Sequence, residues 1–259
     1  MSLTGKSYSA YYKDVLEIDN SNAGFDSTLR PIKSGEGTSS AVYVSTGKTK
    51  ILPAADSTAT LDVQDKDGNN KLLVDTTNDY VKALGHHVNT QYVYFGANSA
   101  DSVFAGALAN THYMIPFQRS SMTALAPIGT STNPDTSLII GNTADDIVTC
   151  MWLVMDNITI DRVIWWHGAD VATGDTTRVH LCSFDVVRDN SSTSGDLSNG
   201  TVLCDGADIT NAGREQSYYQ QMTIQSADVD AGKAVFFVFR SDSVNSNFSI
   251  SATIKFHLR

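Results

Sequence analysis

From Phe248 to Leu258 the chain alternates without a break. Phe248, Ile250, Ala252, Ile254, Phe256 and Leu258 are apolar, and Ser249, Ser251, Thr253, Lys255 and His257 between them are polar. Successive side chains of a strand point to opposite faces, so this run predicts a strand with one face buried and one wet. Such a strand must pair inside a larger sheet, because its apolar face is too long to leave in water. Ile158 to Trp166, Arg178 to Arg188 and Ala234 to Phe239 are further strand candidates, separated by Gly, Ser, Asn and Asp turns. The run Ile147 to Met155 is apolar on both faces and predicts a central strand. Together these segments predict a jelly-roll β-sandwich head over residues 97–259. Asp189 to Gly200 is polar and of low complexity, and reads as an exposed loop.

The rest of the chain divides in two. Residues 1–53 carry turn formers at Asn20, Asn22, Gly24, Gly35 and Gly37, with one short strand or helical turn at Tyr11 to Ile18. The expectation is an extended segment that orders against a partner. Residues 54–96 read as short strands joined by tight turns. Leu61 and Val63 alternate with polar neighbours, the turn Asp67-Gly68-Asn69-Asn70 follows, then a strand Lys71 to Asp75, a turn Thr76 to Asp79, and Tyr80 to Leu84. So few residues make a poor isolated core. Intertwining with two more copies of the chain would bury their apolar side chains and remove open edges, which predicts a short trimeric β stem. The fold class expected is therefore all-β.

Composition narrows the partners. The formal net charge of −10 repels phosphate, which argues against nucleic acid and against anionic lipid. Ile147 to Met155, the most apolar run, is too short for a membrane helix. Met1 to Ala10 shows no apolar leader, so synthesis in a cytoplasm without membrane insertion is expected. Cys150, Cys182 and Cys204 have no metal-type spacing, and their odd number argues against a disulfide framework.

The stretch Ser57 to Leu84 brings in a resemblance. Leu61-Asp62-Val63, Gly68, Leu72-Leu73-Val74-Asp75-Thr76-Thr77-Asn78 and Val81 resemble a segment of bacteriophage tail-fibre and head-fibre shafts. Ala234 to Ser243 and Asn247 to His257 look like the closing strands of virion structural proteins of marine phages. The shaft match spans about a tenth of the chain, and its motif is structural, so it implies interwoven three-chain β-structure and carries over no catalytic residue. The N-terminal residues do not resemble the adaptor-binding domain of podovirus tail fibres, which leaves attachment to a capsid open.

There is no GxSxG elbow, phosphate loop, HExxH or paired CxxC. Asp65 to Asn69 faintly resembles a calcium loop, but the glycine offset is wrong and Thr76 stands where a glutamate is needed; a hairpin turn is preferred. Asp145-Asp146 and Asp228/Asp230 are carboxylate pairs, read as solvated loop charge. Of Trp165-Trp166-His167, alternation predicts one tryptophan in the core and one exposed, a protein contact being favoured over a sugar. His86-His87 could present three imidazoles on a trimer axis to a metal or an anion; a polar junction is the preferred reading.

The sequence thus predicts a non-enzymatic virion surface protein without cofactor, metal or catalytic residues. The expected partners are two further copies of the chain, capsid or tail proteins bound through residues 1–53, and, as an optional partner of the head, a host-surface glycan or protein. A receptor-binding tail fibre is the nearest alternative. A carbohydrate-degrading tailspike is the alternative from another class, disfavoured because no coil repeat of a long β-helix is present.

Overall fold

The computed structural model describes residues 15–21, 23–97, 108–118, 126–129, 134, 144–169, 173–213, 216–242 and 248–259. The chain falls into two compact units, Met1–Val88 and Asn89–Arg259.

The first unit contains two four-stranded antiparallel meanders. One is β1 (Leu16–Ile18), β2 (Arg30–Ser34), β3 (Ser39–Val44) and β4 (Thr49–Ile51), and the other is β5 (Leu61–Gln64), β6 (Asn70–Asp75), β7 (Tyr80–Ala83) and β8 (His86–His87). The turn glycines expected from the sequence are used. Gly24, Gly37 and Gly68 all have positive φ, where a Cβ would be strained. Of the predicted element at Tyr11 to Ile18, the strand Leu16–Ile18 is present and residues 11–14 lie outside the described ones. Among the described residues of this unit no apolar side chain is buried.

The second unit contains the hydrophobic core, which runs from Val93 to Phe256 in sequence. Its strands are β9 (Thr90–Ala97), β10 (His112–Ile115), β11 (Ala126–Pro127), β12 (Trp152–Leu153), β13 (Ile158–Ala169), β14 (Thr176–Val186), β15 (Leu197–Asp205), β16 (Ile209–Thr210), β17 (Gln216–Gln221), β18 (Thr223–Ile224), β19 (Asp228–Val229), β20 (Ala234–Ser241) and β21 (Phe248–Leu258), with one short helix, α1 (Ala144–Cys150). Two antiparallel sheets carry them. One has the order β17-β13-β21-β9, and the other contains β10-β20-β14-β15. Among these eight long strands the first pairs with the last, the second with the seventh, the third with the sixth, and the fourth with the fifth. That nesting is the jelly roll, a β-hairpin rolled into two sheets. The aromatic rings of Phe95 and Phe237, and of Phe239 and Phe248, meet between the sheets with centroids 6.0 and 5.1 Å apart.

The strand β21 follows its sequence pattern, with Phe248, Ile250, Ala252, Ile254 and Phe256 buried and the residues between them partly or fully exposed. Four expectations are corrected. Residues 1–53 are not one extended segment, because β1 to β4 pair there as an antiparallel sheet joined by the turns that the glycines and asparagines supply. Ile147 to Met155 is no central strand. Its first half lies in α1, which buries Ile147 and Cys150 three residues apart and leaves Val148 59% exposed, the spacing of one helical face. The strands buried on both faces are instead β20, from Ala234 to Phe239, and its neighbour β14, from Val179 to Phe184. The second unit begins at Asn89 rather than at residue 97, because β9 pairs along β21 from Thr90–His257 to Ala97–Ile250. The loop predicted at Asp189 to Gly200 is shorter, since Leu197 opens β15 and is buried against the core.

Candidate functional site

Two of the groups that invited a chemical reading are engaged within the fold. Asp65 accepts hydrogen bonds from the backbone N–H of Asp67 and of Asn69 and from Asn69 Nδ2, and pairs with Lys71 Nζ at 2.9 Å. The Lys71 ammonium, followed by the Asn69 donors, holds this carboxyl down at about 2. It is the organiser of a hairpin turn, its lone pairs filled by protein donors. Asp228 and Asp230 both bind the guanidinium of Arg259, at 3.3 and 2.9 Å, and Asp228 also accepts from Thr159 Oγ1. Both carboxylates are thus engaged by Arg259. The side chains of Asp145 and Asp146 lie outside the described residues.

His86 and His87 are neighbours on a two-residue strand and take opposite faces. His86 lies opposite Ala83, while His87 lies opposite Lys82 with its ring edge-on to Tyr80 at 5.1 Å. They cannot both face one axis.

Three histidines are wholly buried in the second unit: His112, His167 and His180. The ring of His167 stacks between Trp165 and Tyr218 and accepts or donates one bond with Thr177 Oγ1 at 3.3 Å. Burial pushes it down to about 4. His112 and His180 lie 5.2 Å apart, with Asp205 Oδ1 3.1 Å from His180 Nδ1 and Arg178 clamping Asp205 through two bonds. His180 is also held down at about 4. Burial is the first cause and the cations of His112, Arg178 and Arg240 reinforce it, against the pull of Asp205. All three cysteines are buried and outside any disulfide. Burial pushes the Cys182 thiol up, and Cys204 up to about 12, so neither is a ready nucleophile. Among the described residues no cluster of His, Cys, Asp and Glu is arranged to hold a metal.

What remains is surface. In the first unit, the pairings Leu61–Val74–Val81 and Val63–Leu72–Ala83 put six apolar side chains on one face of the β5–β8 sheet. Asp62, Leu73 and Lys82 take the other face. Val63 is 46% exposed on the apolar face, and none of the six is buried.

In the second unit, between the rows Ser217–Gly168–Ser249 at one end and Asp228–Thr159–His257–Thr90 at the other, the outward face of the β17-β13-β21-β9 sheet has three central cross-strand rows. They are Tyr219–Trp166–Ser251–Gly96, Gln221–Ile164–Thr253–Tyr94, and Arg162–Lys255–Tyr92. The alternation expected at Trp165-Trp166 is present: Trp165 is fully buried and donates to Gln220 Oε1, while Trp166 is 53% exposed. Its ring meets Tyr219 edge-on at 5.2 Å. Arg162 lies across the same face, with Nε donating to Gln221 Oε1 at 2.8 Å. Tyr92, Tyr94 and Tyr219 were not singled out in the sequence. The available signal was the alternation Tyr92-Val93-Tyr94-Phe95, which puts two tyrosines outward on a strand whose other face is core.

The sequence matches no protein-family model and no curated protein.

Proposed function

We propose that this chain is a non-enzymatic structural protein of a bacteriophage particle, a trimeric surface appendage that decorates the capsid or forms a short fibre. The observation that carries the trimer is the apolar face of β5–β8, whose six side chains are at best partly buried within the chain. A sheet with one apolar face needs a second layer to cover it, and the described residues of the first unit bury no apolar side chain at all. The partner always present at equal concentration is another copy. Each ladder in this sheet is already paired within the chain, so copies meet face to face here, without exchange of strands. The phage particle itself comes from the resemblance of Ser57 to Leu84 to fibre shafts. A jelly-roll unit is compatible with that role, since the architecture is common in capsid and lectin domains. The saturated carboxylates and inert thiols support a structural reading over a catalytic one.

In this reading the N-terminal residues join other virion proteins and the head faces outward, where its loops are available to a host surface. A cryo-EM map of the intact particle tests it. The expected result is threefold density on the head or tail surface that accepts the jelly-roll unit. Purified particles that lack the chain would overturn the proposal.

A further inference from the structure

We infer that the outward face of the β17-β13-β21-β9 sheet is a second contact between copies of this chain, so that the heads of the assembled protein bind one another. The inference rests on the trimer reading above and adds an interface to it. Tyr92, Tyr94, Trp166 and Tyr219 stand about half exposed on this face, at 54, 50, 53 and 49%. Single exposed aromatics are ordinary; four on one sheet face, two of them in ring contact, make a patch. Tyrosine, tryptophan and arginine are the residues that dominate interface cores.

Charge points to the occupant. The chain carries a net charge of −10, so most of its surface opposes self-association. The three central cross-strand rows, which carry the four rings, contain Arg162 and Lys255 and no aspartate or glutamate, and the acids at the edge of the face, Asp228 and Asp161, are already engaged by Arg259 and His257. It is therefore a surface on which a second acidic copy is not repelled and two cations are offered to it.

Size fixes the role. Four half-exposed rings offer on the order of 400 Å², about half of what each partner contributes to a standard interface. The face is too small to hold a dimer alone and suits an adjunct to copies already joined elsewhere. β9, which carries Tyr92 and Tyr94, starts two residues after the first unit ends, so copies joined through the first unit hold this strand at high local concentration.

The test is hydroxyl-radical footprinting of the full chain, read residue by residue, with the solution mass measured on the same sample. Trp165 is the internal standard for a buried ring. The expected result is a trimeric mass with Trp166, Tyr94 and Tyr219 oxidised several-fold more slowly than their exposure in one chain implies, and with Trp166→Ser restoring oxidation of Tyr94. A trimeric mass with Trp166 oxidised freely overturns this interface and leaves the trimer standing. So does protection of Trp166 that appears only when a polysaccharide such as dextran is added, which would assign the face to glycan. A monomeric mass overturns both.

Discussion

Gly206 shows how tightly single positions are specified. A Cβ there would lie 2.9 Å from Val179 Cγ2, 3.1 Å from the Val179 carbonyl oxygen and 2.9 Å from Gln220 Oε1. That Gln220 oxygen already accepts from Trp165 Nε1 and from the Ala207 N–H, so it cannot retreat without losing both. Gly206→Ala is expected to destabilise the second unit by about 1–3 kcal/mol, a drop of roughly 2–4 °C in Tm per kcal/mol for a unit of this size. An unchanged melting curve would contradict the packing. The buried histidines give a second residue-scale expectation. His167 and His180 ionise near 4 in the fold, against 6.5 when unfolded. The unfolded chain takes up protons first, so their contribution is complete above 6.5 and is lost as pH falls towards 4. The loss is at most about 3 kcal/mol for each. Carboxylates held low, such as Asp65, act only below this window. Thermal melts between pH 7.5 and 4.5 should show Tm falling, and His167→Phe should flatten the fall if it folds; a flat profile in the native chain would refute the assignment. Trp165 and Trp166 were legible from alternation alone. The meeting of His112, His180 and Asp205 was not, because it depends on which strands become neighbours.

At the scale of elements, legibility followed the strength of the local period. β21 could be read to its ends, since eleven alternating residues admit one geometry. Ile147 to Met155 could not, because a short apolar run fits a buried strand and one face of a helix equally well. β9 was assigned to the stem because its partner β21 is more than a hundred residues away in sequence. The start of β15 hid in a polar stretch in which Leu197 is the one apolar side chain. Two substitutions separate the elements by role. Ile254 is fully buried on β21 between Val163 and Val93. Ile254→Asp puts an unpaired carboxylate there at a cost of several kcal/mol, so the head should melt early while copies still associate. Val74→Asp, in the middle of the β5–β8 apolar face, should do the reverse, leaving the head's Tm in place and abolishing association. Scanning calorimetry with mass measurement on both variants distinguishes them; equal effects on both properties would contradict the division. The exposed turn Asp189 to Asp196 is held by local bonds such as Ser191 N–H to Asp189. Its replacement by a Gly/Ser linker should leave Tm within about 1–2 °C, and a severe loss would show that it packs.

For the molecule as a whole, the two units differ in what sustains them. The second owns an interior of aromatic and aliphatic side chains between two sheets. The first has eight short strands and, among its described residues, no apolar interior. The all-β class and the sandwich were readable because apolar alternation reports a two-layer core directly. The nesting that makes it a jelly roll was an expectation from strand spacing, and it is the order of pairing that establishes it. The poverty of the first unit was readable too, as a count of apolar residues too few for a core. The measurement that tests the account most directly is the mass of the full chain in solution, by native mass spectrometry or sedimentation equilibrium at micromolar concentration. The expected mass is three times the 27.9 kDa of one chain, unchanged on moderate dilution. A stable monomer, folded throughout, would contradict the claim that the first unit is completed by other copies.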